Sequence, residues 1–129
     1  MSDYMPKAGE FCWNELMVAD TSKAKDFYSG LLGWEANEID MGDMTYTIFK
    51  SGDKDVAGML QIPQGQEQEI PPHWMSYILV DDLDAMIEKA TGLGATVKMP
   101  ATPVASMGRF TVLLDTTGAH IALWEKAEG

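Results

Sequence analysis

The chain has 129 residues, a length that makes one domain the default and can bury a sizeable core. At 46% hydrophobic and 22% charged it is no disordered chain, and its net charge of −11, with only nine scattered Lys and Arg, argues against nucleic acid and acidic membrane surfaces as partners. No apolar run reaches the roughly eighteen residues of a transmembrane helix, and the opening MSDYMPKAGEF lacks the pattern of a secretory leader. The lone Cys12 can form no internal disulfide, so a reducing cytoplasm is expected.

In chain order, residues 10–18 (EFCWNELMV) read as a strand. Asp20 or Thr21 then caps a helix by accepting from first-turn amides. Ala24, Phe27, Tyr28, Leu31 and Leu32 follow at helical spacing as one apolar stripe, and Gly33 ends the helix. Three strands are expected around 34–40, 44–51 and 55–62, with turns at Gly42–Asp43 and Gly52–Asp53. The polar, Pro-rich segment 63–72 (PQGQEQEIPP) reads as a linker.

The order then repeats. A strand is expected at 73–80, and Asp82 caps a helix with Leu83, Met86, Ile87, Ala90 and Leu93 on one face. Gly94 ends it, and strands follow near 95–99, 108–114 and 119–125. Asp20 and Asp82 lie 62 positions apart, Gly33 and Gly94 lie 61 apart, and Leu60 and Leu123 lie 63 apart. Three landmarks at nearly one spacing indicate a duplicated strand–helix–three-strand unit, with repeats at 10–62 and 73–126. The expected fold is α+β: two βαβββ units in a single domain, forming a curved mixed-sheet half-barrel whose concave interior is the natural pocket.

The runs LMVADTSKAKDFYSGLLGWE and LLDTTGAHIALWE carry a resemblance to the vicinal oxygen chelate superfamily of glyoxalases, extradiol dioxygenases and bleomycin-resistance proteins. The resemblance covers roughly residues 10–126 and implies a glyoxalase-like fold, a small-molecule ligand and an arrangement that allows a homodimer. In metal-dependent relatives, four side chains hold a divalent ion. Carried onto this sequence, those positions are Trp13, Met59, Met75 and Ala122. None offers the carboxylate, amide oxygen or imidazole that such an ion takes. The resemblance therefore implies the fold, while the residues predict no cofactor.

Strand alternation places Glu15 and Met17 in step with Trp13, and His73 and Tyr77 in step with Met75. Gln61 is in step with Met59, and His120 and Trp124 with Ala122. The expected ligand-binding face is aromatic and Met-rich, suited to an apolar or aromatic small molecule bound without metal. Glu15, an acid on an apolar face, is the candidate general base or partner of a cationic ligand. The alternative is a metal-dependent lyase or dioxygenase of the glyoxalase type, with a divalent metal on the displaced ligands Glu15, Gln61, His73 and His120. A third reading is a metal-free enzyme using Glu15 as base. Arg109 is placed near a strand start, where it caps a carboxylate or is solvated. GLGATV follows a helix instead of a strand, which removes a dinucleotide-binding reading.

Overall fold

A computed structural model describes residues 6–40, 42, 45–63, 65, 66, 68, 70–104 and 106–127. They fall into two compact units. One is Trp13–Met75; the other joins the segment up to Cys12 to the chain from Ser76 onward. The segment before Cys12 belongs to the second unit because its backbone is bonded there. Gly9 N–H donates to the Leu79 carbonyl at 2.8 Å, and Leu79 N–H donates to the Glu10 carbonyl at 2.9 Å.

The elements are β1 (Phe11–Val18), α1 (Thr21–Leu32), β2 (Glu35–Asp40), β3 (Thr45–Ser51) and β4 (Lys54–Gln61), then β5 (His73–Leu79), α2 (Leu83–Gly92), β6 (Thr96–Val104), β7 (Gly108–Leu114) and β8 (His120–Lys126). The duplicated βαβββ order expected from the sequence is the order observed, and the fold class is α+β. The strands of the first half run β2-β3-β4-β1 and those of the second β5-β8-β7-β6. In each, the first strand pairs in parallel with the last: β1 with β4 and β5 with β8.

Local chemistry explains the helix limits. Asp20, not Thr21, caps α1: its carboxylate accepts from Lys23 N–H at 3.0 Å. Gly33 closes the helix at φ 74°, a left-handed geometry that glycine takes without steric cost. Asp82 accepts from Ala85 N–H at 3.1 Å to start α2. The turn expected at Gly42–Asp43 lies partly outside the described residues; Gly42 N–H there donates to the Asp40 carboxylate.

Leu16, Phe49, Ala57 and Met59 form the buried core of the first unit, with Val18, Ala24, Tyr28, Trp34, Ala36 and Val56 packed against it. Tyr28 stacks on Trp34 with ring centroids 5.6 Å apart and meets Trp74 edge-on at 5.6 Å. Its hydroxyl accepts from the Trp74 indole at 3.1 Å. These rings fill the space under α1, so the expected apolar stripe is only partly used. Ala24 and Tyr28 face the core, whereas Phe27, Leu31 and Leu32 are exposed. In α2, Leu83 is fully buried and Leu93, expected on the same face, is exposed.

Strand β6 is longer than the expected 95–99 and contains Pro100 and Pro103. It pairs only with β7 among the strands of its half, and its register shifts at Val97/Met99 and Met99/Thr102. Proline lacks an amide donor, and a bulged strand end in that order accommodates it. Arg109 ties the second unit together. It donates to Glu125 at 2.9 Å and to Asp84 of α2 at 3.3 Å. Glu125 also accepts the Leu83 amide at 2.7 Å, adding a second carboxylate to the start of α2.

Candidate functional site

The core residues identify which sheet face lies under α1. Leu16 of β1 sits opposite Met59 of β4, and both belong to the core cluster that packs on Ala24 and Tyr28. Glu15 sits opposite Gly58, and Ile48 is also opposite Gly58. Trp13, Glu15, Tyr46, Ile48 and Gly58 therefore share the face turned away from the helix.

The sequence-based placement of Met59 needs correction. Met59 is 1% exposed and points under α1, away from the face that carries Glu15. Parallel pairing matches Glu15 with Gly58 and Tyr77 with Ala122. Glu15 and Tyr77 are 62 positions apart, but Gly58 and Ala122 are 64 apart. The 63-residue spacing used for the last strand slips by one residue, and one residue in a strand exchanges the faces. Gln61 is corrected with it. It pairs with Val18, and its side-chain amide donates to the Ala19 carbonyl at 3.1 Å.

In the second unit the expected parity holds. Phe110 is opposite Trp124, Val112 opposite Ala122, Tyr77 opposite Ala122, and Leu79 opposite Trp124. This set faces away from Arg109 and Glu125, which reach α2. Tyr77 and Phe110 lie with ring centroids 6.0 Å apart, and Ala122 is fully buried. His120 is exposed at the start of β8. In the first unit, Met75 is buried, Met17 is half-buried, and His73 Nδ1 lies 2.7 Å from the Pro71 carbonyl. A carbonyl only accepts, so this nitrogen carries the proton.

Glu15 is 8% exposed and stands in a hydrogen-bonded chain. The Trp13 indole N–H donates to the Tyr46 hydroxyl at 2.9 Å, and that hydroxyl donates to Glu15 Oε2 at 2.9 Å. The direction is forced, because indole can only donate and carboxylate only accept. Burial, followed by the neighbouring Glu15 charge, pushes the Tyr46 phenol well above its ordinary value. Tyr46 thus stays protonated at neutral pH and donates to Glu15. Gly58 makes the chain sterically feasible. A β-carbon there would stand 1.8 Å from the Tyr46 hydroxyl oxygen and 3.1 Å from Trp13 Nε1.

Tyr46 and Gly58 were not singled out by sequence reasoning. A signal for Gly58 existed, since a glycine inside a strand marks a place where another group approaches the backbone. Tyr46 is an ordinary strand residue within TYTIF, and nothing local distinguishes it.

The four metal positions implied by the resemblance become Trp13, Gly58, Met75 and Ala122 after the register correction. They supply no carboxylate, amide or imidazole, so they do not fit a divalent ion. Nor is the displaced ligand set assembled, because Glu15 and Gln61 occupy opposite faces of one sheet. Among the described residues, no group of three or more His, Cys, Asp and Glu is placed to hold a metal.

Residues 11–123 match the family model described as Glyoxalase/Bleomycin resistance protein/Dioxygenase superfamily. The chain belongs to this superfamily. Within it, the chain is 36% identical over 128 residues to "Putative glyoxylase CFP32" of Mycobacterium tuberculosis, an alignment covering 94% of this chain and 49% of that protein. It is 34% identical over 130 residues to "Anthracycline biosynthesis protein DnrV" of Streptomyces peucetius, covering 92% and 47%. The chain thus spans about half the length of the curated relatives it matches. The crystal structure of methylmalonyl-CoA epimerase from Mycobacterium tuberculosis superposes with a TM-score of 0.65 at 20% identity, covering 97% of this chain and 93% of that one. Members of this superfamily fold carry out many chemistries, so the fold by itself names no reaction. Among the described residues, no helix is long and apolar enough to cross a membrane.

Proposed function

We propose that this glyoxalase/bleomycin-resistance-like chain binds an apolar or aromatic small molecule on the sheet faces turned away from its helices, without the divalent metal of its metal-dependent relatives. One observation carries this reading. At the metal positions the resemblance implies, with Gly58 in place of Met59 from the observed register of β4, the chain has Trp13, Gly58, Met75 and Ala122. Around them the same faces present Tyr46 and Ile48 in one unit, and Tyr77, Phe110 and Trp124 in the other. Aromatic rings and thioethers provide broad, adaptable contact with planar ligands. Relatives named for anthracycline biosynthesis and as a glyoxylase are consistent with a small-molecule ligand. A cytoplasmic location and a homodimer belong to the same reading.

Tryptophan fluorescence of chelator-treated protein tests it. Trp13 and Trp124 stand on these faces, so an aromatic ligand should quench emission saturably, with the same affinity before and after chelation. A requirement for one equivalent of divalent metal, or no saturable response across aromatic and apolar compounds, overturns the reading.

A further inference from the structure

Resting on that ligand-binding reading, we infer that Tyr46 is the specificity-determining residue of the first unit: its ring is a built-in occupant of the ligand face over Gly58, closing a slot that would otherwise take a phenol. The geometry is set by three strands. Tyr46 stands on β3, Gly58 on β4, and Trp13 with Glu15 on β1, in the strand order β3-β4-β1. Ile48 and Glu15 both lie opposite Gly58, so Tyr46, in step with Ile48, starts on the same face one pleat further along β3. To reach Glu15 its side chain has to cross β4, and it crosses where β4 has no side chain. A β-carbon at position 58 would stand 1.8 Å from the hydroxyl oxygen and 2.4 Å from Cζ, well inside any contact distance. The end of the ring therefore rests on bare backbone, and Gly58 is buried beneath it.

The slot is defined at its floor and at its polar end. The floor is Gly58. At the polar end the Tyr46 hydroxyl accepts from the Trp13 indole N–H and donates to Glu15 Oε2, both at 2.9 Å. A phenol from outside carries the same ring and the same hydroxyl, with one proton to give and lone pairs to accept. A hydrocarbon ring fits the floor but leaves the indole proton without this acceptor. A benzoate brings no proton for Glu15 and sets a second negative charge beside it. Wild-type protein fills the slot with its own side chain, so an aromatic ligand on this face meets the Tyr46 ring and not the β4 backbone. Position 46 thus decides whether the first unit offers a surface to stack on or a slot to fill.

Small aromatic probes test this. Tyr46→Ala removes the ring, whereas Tyr46→Phe keeps the ring and removes the hydroxyl. By calorimetry at neutral pH, p-cresol should bind Tyr46→Ala saturably and about tenfold or more tighter than toluene, a difference of about 1.4 kcal/mol. It should also raise the Tm of that variant. Wild type and Tyr46→Phe, whose slots are filled, should bind p-cresol about tenfold or more weakly than Tyr46→Ala does. The Trp13 indole N–H resonance, assigned by its loss in Trp13→Phe, should shift in Tyr46→Ala and return toward its wild-type position with p-cresol but not with toluene. Tyr46→Val, a better strand former than alanine, supplies the same readings if Tyr46→Ala fails to fold. Equal affinity of p-cresol for wild type and the opened variant, no preference over toluene, or an indole resonance indifferent to p-cresol overturns the inference. Saturable quenching of wild-type tryptophan emission by larger aromatic compounds would then leave the ligand-binding reading in place. Wild type that answers to no aromatic compound removes that reading and, with it, the role of Tyr46 as a selector.

Discussion

Tyr46 lies over Gly58, its hydroxyl oxygen 1.8 Å from where a β-carbon would stand. Side chain and glycine are thus a matched pair: the ring occupies space that any other residue at position 58 would claim. Gly58→Ala should displace Tyr46, break its hydrogen bond to Glu15 and destabilise the fold by about 1–3 kcal/mol, the usual cost of overpacking. Chemical denaturation measures this. The coupling is specific, so adding Tyr46→Ala should recover part of the loss; strictly additive effects would mean that the two residues do not compete for one space.

Tyr46 should also resist ionisation. Desolvation, then the Glu15 charge, raises its phenol above the ordinary tyrosine value of about 10. A group whose folded pKa is raised contributes stability that is fully present below the unfolded value and is lost as pH rises above it. An alkaline titration followed by phenolate absorbance should show a tyrosine, absent in Tyr46→Phe, that ionises only on unfolding. The same variant should lose stability less steeply above about pH 10. Titration of every tyrosine as in a model peptide would contradict the buried hydrogen-bonded geometry.

Met59 provides a test of the face assignment. Its side chain lies in the core under α1, so Met59→Ala should cost about 2–5 kcal/mol through lost contacts and a cavity. Ligand affinity of the folded variant should match wild type. A variant that keeps its stability and loses binding would restore Met59 to the ligand face.

Glu125 should shape the acid limb of the stability curve. The Leu83 amide and then Arg109 hold its carboxyl below the usual range. A depressed carboxylate contributes stability present above its unfolded pKa of about 4.3 and lost as pH falls toward the folded value. Glu125→Gln should therefore flatten the decline below about pH 5, and Arg109→Leu should do so in part. Acid unfolding curves that superimpose on wild type would remove this carboxylate from the balance.

Much of the architecture is legible in local sequence. Asp20, Gly33 and Asp82 mark helix limits because capping and left-handed geometry are settled within a few residues. The repeat is legible because the same local signals recur at nearly constant spacing. The site is legible where a strand's own alternation suffices, as for Trp13 and Glu15 in β1 or Ala122 and Trp124 in β8.

What the sequence by itself determined is the α+β class, the duplicated unit, the superfamily resemblance and the absence of coordinating side chains at Trp13, Met75 and Ala122. Only the tertiary structure decided which face β4 turns toward Glu15, because strand register depends on the partner strand and a single-residue slip exchanges Gly58 for Met59. It alone also joined Tyr46 to Glu15, residues 31 positions apart, since a hydrogen bond that reaches from β3 over Gly58 of the intervening β4 to β1 follows from strand order and register and leaves no periodic trace in the chain.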